Sequence, residues 1–335
     1  MAVNSLNDYS TTVASNLDIA GTSIAVGCAP ADVGVFMRTI MAQIAYAVQG
    51  SGGTIPATWH VGHLFTTGDA TIAGNINLTG NLTVAGILNV AMRNYLAGLN
   101  TAPNGNTAIL VNPGIATDST NTVSMILAAA MTKSTAIAWV AGTGNGGLGN
   151  GLVLTINTAY HVFLILNAGA VDVYFDTSIT AANAPAGTTA FRRIWSFKTL
   201  VGSTTTTPYL QTGPRCDLLT PVNQFTGVPG ALTESTLPLV SIPTGVVLEA
   251  MLAGNVFDNS FSNSILYISN LAQADIAPNS PNAITGQSGG VNEAGSWAKT
   301  VMTDNATQIR VRVSTTTVLI SIGCYGWFDR RGQDA

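Results

Sequence analysis

Four glycines, Gly68, Gly74, Gly80 and Gly86, stand six residues apart and open the units GDATIA, GNINLT, GNLTVA and GILNVA. In each unit the second and fourth positions after glycine are apolar: Ala70 and Ile72, Ile76 and Leu78, Leu82 and Val84, Leu88 and Val90. Side chains two apart share one face of an extended strand, so the stretch presents one apolar edge. The glycines share that parity and leave gaps where the chain can bend or another backbone can approach. A ribbon of about 24 residues cannot bury such an edge against itself, so further coils of its own chain or other chains must cover it. A left-handed β-helix uses three hexads per coil, and four hexads make barely more than one coil, with almost no interior. An ordinary meander with coincidental glycines is the other alternative. Three chains meeting around an axis satisfy the pattern, so residues 68–91 are expected to form the shaft of a homotrimeric fibre.

The residues before the shaft fall into an arm, a helix and a linker. Residues 1–29 are polar and irregular, with Tyr9 and short apolar pieces such as Ile24-Ala25-Val26. From Pro30 onward Val33, Phe36, Met37, Ile40, Met41, Ile44, Ala45 and Val48 recur at three and four residues, the spacing of one helical face. Pro30 and Asp32 suit a first turn, and Gly50-Ser51-Gly52-Gly53 ends the helix. An amphipathic helix without a domain of its own to pack on predicts docking to another protein, or bundling with its own copies. Its anchoring contacts would come from Tyr9, Ile24 and Val26 in the arm and Val33, Met37, Ile40, Met41 and Ile44 on the helix. The linker, 51–67, carries His60 and His63, which a three-fold axis would gather into a ring able to hold a metal; their spacing matches no zinc signature, and no cofactor is expected.

Residues 92–335 read as strand after strand. The apolar runs are Val123–Met131, Ala136–Val140, Tyr160–Leu166, Ala170–Phe175, Phe191–Leu200, Val246–Ala250, Ser264–Ile268, Ile309–Val313 and Val318–Ile322, separated by clusters such as Asn145-Gly146-Gly147 and Pro278-Asn279-Ser280-Pro281. Many short strands at this spacing predict a β-sandwich or jelly-roll-like head, and the Thr- and Pro-rich stretch Thr204 to Pro238 could divide it into two lobes. The expected fold is therefore mainly β: arm and helix (1–50), linker (51–67), hexad shaft (68–91) and β head (92–335, with a division near 200–238).

Only 8% of residues are charged, against about 25% in ordinary soluble domains, so the surface must be built from Thr, Ser, Asn and Gly. With a formal net charge of −4 and scattered Lys and Arg there is no basic footprint for a phosphate backbone, and nucleic acid is not expected as a partner. No basic n-region with an apolar h-region opens the chain and no apolar window is long enough for a helical span, so assembly in a cytoplasm is expected. Cys28, Cys216 and Cys324 have neither disulfide nor metal spacing and read as small buried thiols.

Each pattern that could carry chemistry has a plainer counterpart. Gly142, Gly144 and Gly147 fit a GxGxxG phosphate cradle, which needs a helix to follow, but Leu152 to Ile156 reads as strand and a loop tip fits better. Asp172 and Asp176 share a strand face about 13 Å apart, beyond the separation at which two carboxyls cleave a glycosidic bond. Nothing pairs the glutamates Glu234, Glu249 and Glu293, and no Ser/His/Asp ordering appears, so the chain is not expected to be an enzyme. His161 lies in an apolar strand and reads as a core histidine. Tyr160, Tyr174, Trp195, Tyr209 and Trp297 would stack on sugar rings if exposed and fill the core if not. One of Arg192 and Arg193 is expected at an interface or paired with an acid such as Asp172, and Arg330-Arg331 is placed to clip neighbouring protomers.

Two parts of the chain resemble bacteriophage tail-fibre and related virion-fibre proteins. Asn7-Asp8-Tyr9-Ser10-Thr11-Thr12, Ile24-Ala25-Val26-Gly27-Cys28-Ala29-Pro30 and Arg38 with Met41-Ala42-Gln43 resemble the virion-attachment segment of phage fibres. Gly142 to Leu148, Tyr160 to Ile165, Phe191-Arg192-Arg193-Ile194 and Gly326-Trp327-Phe328-Asp329-Arg330-Arg331-Gly332 resemble a C-terminal domain of fibres and spikes. The resemblance implies a homotrimer in the virion, its N-terminus held by other virion proteins and its head presented for attachment to a host-surface glycan or protein. A neck, collar or head decoration fibre is the alternative, and a glycan-degrading spike a second one. The short shaft, at most about 80 Å if extended, implies a stubby fibre.

Overall fold

The computed structural model describes residues 93–229, 235–261, 263–279, 281–331 and 333, with a short antiparallel pair, Asp18–Ile19 and Thr22–Ser23, in the arm. The remaining anchoring residues of 1–50, His60 and His63, and the hexads of 68–91 lie outside the described residues. The chain divides into two units, Met1–Thr83 and Val84–Ala335. The second holds the head, and every described element in it is a strand.

Two pairs of sheets build the head. In the first lobe Thr188–Lys198, Ala159–Asn167, Ala170–Asp176, Gly146–Leu148, Met131–Ala138, Ala108–Val111 and Thr101–Pro103 lie side by side in that order. A three-stranded sheet, Leu96–Gly98, Gly114–Thr117 and Ser124–Leu127, shares their core. In the second lobe the order is Tyr209–Thr212, Arg215–Gly227, Leu319–Phe328, Glu249–Asp258 and Glu293–Met302, with a four-stranded sheet of Ser235–Pro238, Gln308–Val313, Ile265–Ser269 and Gly286–Gln287. Most pairings are antiparallel; Gly146–Leu148 runs parallel to both of its neighbours.

The strand Ala159–Asn167 shows why the longest apolar run sits centrally. Tyr160, Val162 and Leu164 enter the main core, while Phe163 and Ile165, on the other face, pack with Tyr174 and Ala181 in a second small cluster. A strand buried on both faces needs an unbroken apolar run, and this one has it. Leu319–Phe328 shows the other pattern: Ile320, Ile322 and Cys324 are buried and alternate with more exposed Leu319, Ser321 and Gly323.

The glycines of the GxGxxG stretch serve packing. A Cβ on Gly146 would lie 1.9 Å from the Ala138 carbonyl oxygen, and one on Gly147 would lie 2.5 Å from the Phe175 ring. The loop between the parallel strands is pinned by an internal ion pair. Lys133 Nζ is 2.7 Å from Asp172 Oδ1 and donates to Val140 O at 2.7 Å, and Asp172 Oδ2 accepts the Gly142 amide at 2.7 Å. Burial lowers the Lys133 pKa even against that carboxylate.

The lobes are fused by a dense junction. Arg193 Nη1 and Nη2 donate to the two Asp329 oxygens at 2.6 and 2.8 Å, a bidentate pair with the carboxylate almost fully buried. Arg331 donates to Ile194 O at 2.7 Å, Gly98 O at 3.0 Å and Leu99 O at 2.7 Å. Trp195 stacks on Trp327 at 6.4 Å between centroids, and the Thr101 amide and hydroxyl both donate to Gln211 Oε1. The same contacts blunt an edge: along Thr188–Lys198 the carbonyls of Phe191, Ile194 and Lys198 take Ser119 N, Arg331 Nε and Thr207 N, leaving little free ladder.

Several expectations change here. The Thr- and Pro-rich stretch Thr204 to Pro238 is partly strand: it contains the hairpin Tyr209–Thr212 with Arg215–Gly227, and the chain passes from one set of sheets to the other between Lys198 and Tyr209. Residues 152–155 are not strand; Tyr160 takes up that segment, accepting from Thr155 N at 2.9 Å and donating to Val153 O at 3.0 Å. Arg193 does pair with an acid, but the acid is Asp329; Asp172 is taken by Lys133. Arg331 clips the two lobes of its own chain, where carbonyls of Gly98, Leu99 and Ile194 consume its donors.

Candidate functional site

A concave feature lies on the second lobe, where the edge strand Glu293–Met302 passes beside the strand Ile265–Ser269 and the turn after it. The groove holds about 440 Å³. Thr300, Val301 and Met302 line it from the edge strand; Glu249 joins them because it pairs in register with Met302. Tyr267 comes from the facing sheet and Asn270, Ala272 and Gln273 from the turn.

A buried guanidinium shapes that turn. In Gln308–Val313 the residues Ile309, Val311 and Val313 face the core, which puts Arg310 on the other face, opposite Ser269. Arg310 Nη1 donates to Asn270 O at 3.2 Å and Gln273 O at 2.6 Å, and Nη2 to Leu271 O at 3.1 Å. The Asn270 side chain accepts from Ala272 N at 2.6 Å and Gln273 Oε1 from Asn270 N at 3.0 Å, closing the turn on itself. Carbonyls held by a buried cation do not rearrange cheaply, so this wall is set before any ligand arrives.

Lys299 crosses the groove floor. Its Nζ donates to Ile268 O at 2.7 Å and to Thr285 Oγ1 at 3.3 Å and stands 5.1 Å from the Tyr267 ring centroid. Burial lowers its pKa, and no carboxylate among the described residues pairs with it. The side chain of Glu249, half-buried at the other side, makes no hydrogen bond or ion pair among the described residues. The residues that line the groove thus carry one carboxylate, one ammonium, two amides and two hydroxyls, with Ala272, Val301 and Met302 apolar among them.

Of the described residues singled out from sequence, Glu249 lines this groove and the others are elsewhere. Asp176 organises the 178–183 loop, accepting from Ser178 N at 2.9 Å, Asn183 N at 2.8 Å and Asn183 Nδ2 at 2.8 Å. Glu293 accepts the Gly290 amide at 2.7 Å, and Glu234 lies outside the described residues. His161 is buried, its Nδ1 2.8 Å from Ser196 Oγ, and burial beside Arg193 depresses its pKa to about 4. Tyr160, Tyr174, Trp195, Tyr209 and Trp297 are all buried, so none offers a stacking platform. Tyr267 is the aromatic that reaches a groove; its run, Ile265–Ser269, was readable as a strand, but its neighbours come from distant segments. Cys216 and Cys324 are buried and unbridged, and burial raises both thiols. Among the described residues no group of His, Cys, Asp and Glu is arranged to hold a metal ion, and no helix is long and apolar enough to cross a membrane.

No protein-family model matches the chain, and a search of curated proteins finds no match to it.

Proposed function

We propose that this chain is a structural fibre protein of a bacteriophage particle. It is a homotrimer held to the virion through residues 1–50, spaced by the hexads of 68–91, with the β head as the part that attaches to the host surface. The observation that carries the attachment reading is the polar groove lined by Glu249, Tyr267, Asn270, Gln273 and Lys299, its turn held from behind by Arg310. The commitment of Asp172 to Lys133 and of Asp176 to its own loop supports binding over glycan cleavage. The shortness of the shaft favours, as a second reading, a collar or decoration fibre of the same build.

The test is adhesion of the purified full-length chain to cells of the bacterium the particle infects, read by fluorescence after labelling. Saturable binding competed by unlabelled chain is the expected result. Absence of binding, with the chain present in purified particles, would replace the attachment reading with the decoration one.

A further inference from the structure

The groove's chemistry narrows what it can hold. Lys299 Nζ has three hydrogens and spends two on Ile268 O and Thr285 Oγ1, leaving one donor for a ligand. One donor suits a single hydroxyl or ring oxygen and is a poor clamp for a phosphate or sulfate, which wants several. Glu249 in the same groove repels an anion and needs hydrogen-bond donors of its own. A wholly apolar ligand fares no better, since it would strip water from both charges and return nothing. What remains is a molecule that carries several hydroxyls around apolar C–H patches and no net charge. Amides at Asn270 and Gln273, each able to donate and accept, match vicinal hydroxyls, and Ala272, Val301 and Met302 match C–H faces. The volume, about 440 Å³, falls in the range of roughly 300–1,000 Å³ usual for small-ligand sites.

We infer that this groove binds an uncharged saccharide, with Glu249 accepting from sugar hydroxyls, the free Lys299 hydrogen donating to one sugar oxygen, and the Arg310-braced turn supplying the amides. The inference rests on the attachment reading and assigns it a place and a ligand class.

The experiment titrates the full-length chain by calorimetry with neutral probes (maltotriose, lactose and chitotriose) and acidic ones (sialyllactose and tetragalacturonate), beside neutral surface polysaccharide purified from the host. Binding of at least one neutral probe or of the polysaccharide is expected, weakened at least tenfold in Glu249→Gln and in Lys299→Met and unchanged in Asp217→Asn on an exposed strand away from the groove. Glu249→Gln keeps the shape and removes only charge, so it decides the matter should Lys299→Met fold poorly. Exclusive binding of acidic probes overturns the ligand class. Neutral binding that survives Glu249→Gln unchanged, or no binding by any probe, overturns the site. Cell adhesion measured in parallel separates the two claims: adhesion that persists in Glu249→Gln sinks the groove and leaves attachment standing, while groove binding without adhesion does the reverse.

Discussion

His161 should make the head acid-labile, and the size of the effect follows from its surroundings. The imidazole is 1% exposed, with Nδ1 against Ser196 Oγ, and a Cβ at Gly245 would come within 3.1 Å of Nε2. The charges facing it are the Arg193 guanidinium, which opposes protonation, and the more weakly felt carboxylates Asp329 and Asp176. Burial dominates, and the pKa falls from 6.5 to about 4. A base with a depressed folded pKa is protonated first in the unfolded chain, so stability is greatest above pH 6.5 and declines as the pH drops towards 4. At about 1.36 kcal/mol per pH unit the loss reaches about 3 kcal/mol at pH 4. Urea midpoints of the full-length chain and of His161→Gln, followed by tryptophan fluorescence at pH 7.5 and pH 4, isolate this histidine from every other titrating group. The wild type should lose about 3 kcal/mol more than the variant between the two pH values. Equal losses would refute the claim that a neutral imidazole is what the fold buries.

Four further perturbations have expected outcomes. Asp329→Ala, which strands Arg193 inside the interlobe junction, should cost about 3–5 kcal/mol in urea titrations, whereas Arg193→Met with Asp329→Leu should cost less, because the charge leaves with its partner. The Asp329 pKa is lowered, so its contribution is present above about pH 4 and disappears as the pH falls through its folded value; the midpoint difference between wild type and Asp329→Asn should shrink below that point. Gly147→Ala should lower the melting temperature sharply by forcing Phe175 aside, while Thr204→Ala at an exposed bend should move it little; calorimetric scans decide. Deleting residues 1–50 should leave a soluble trimer that is not incorporated into particles, and incorporation would remove the anchoring role from that segment.

The strands readable from sequence are those whose two faces both meet protein or whose alternation is strongly apolar. Tyr160–Leu166 and Ile309–Val313 are of this kind, and both elements lie where expected to within a residue or two. The strands that escaped notice are polar or small on one face. Glu293–Met302 sets Trp297 and Val301 inward and Ala294, Ser296, Ala298 and Thr300 outward, too weak a contrast to register. Arg215–Gly227 contains Pro221, which argues against a strand; here it falls in the register shift between Asp217 and Val222, where a ladder donor can be spared. The groove was illegible for a different reason. Glu249 and Met302 come together through strand register, and Tyr267 and Lys299 through the meeting of two sheets, neither of which any local pattern encodes. The same holds for Arg193 and Asp329, 136 residues apart and in direct contact.

The central claim is that three identical chains make one fibre, and the most direct measurement is the mass of the full-length protein in solution by multi-angle light scattering at micromolar concentration. The account predicts one species of three times 34.4 kDa. A single species of 34.4 kDa at that concentration would contradict it.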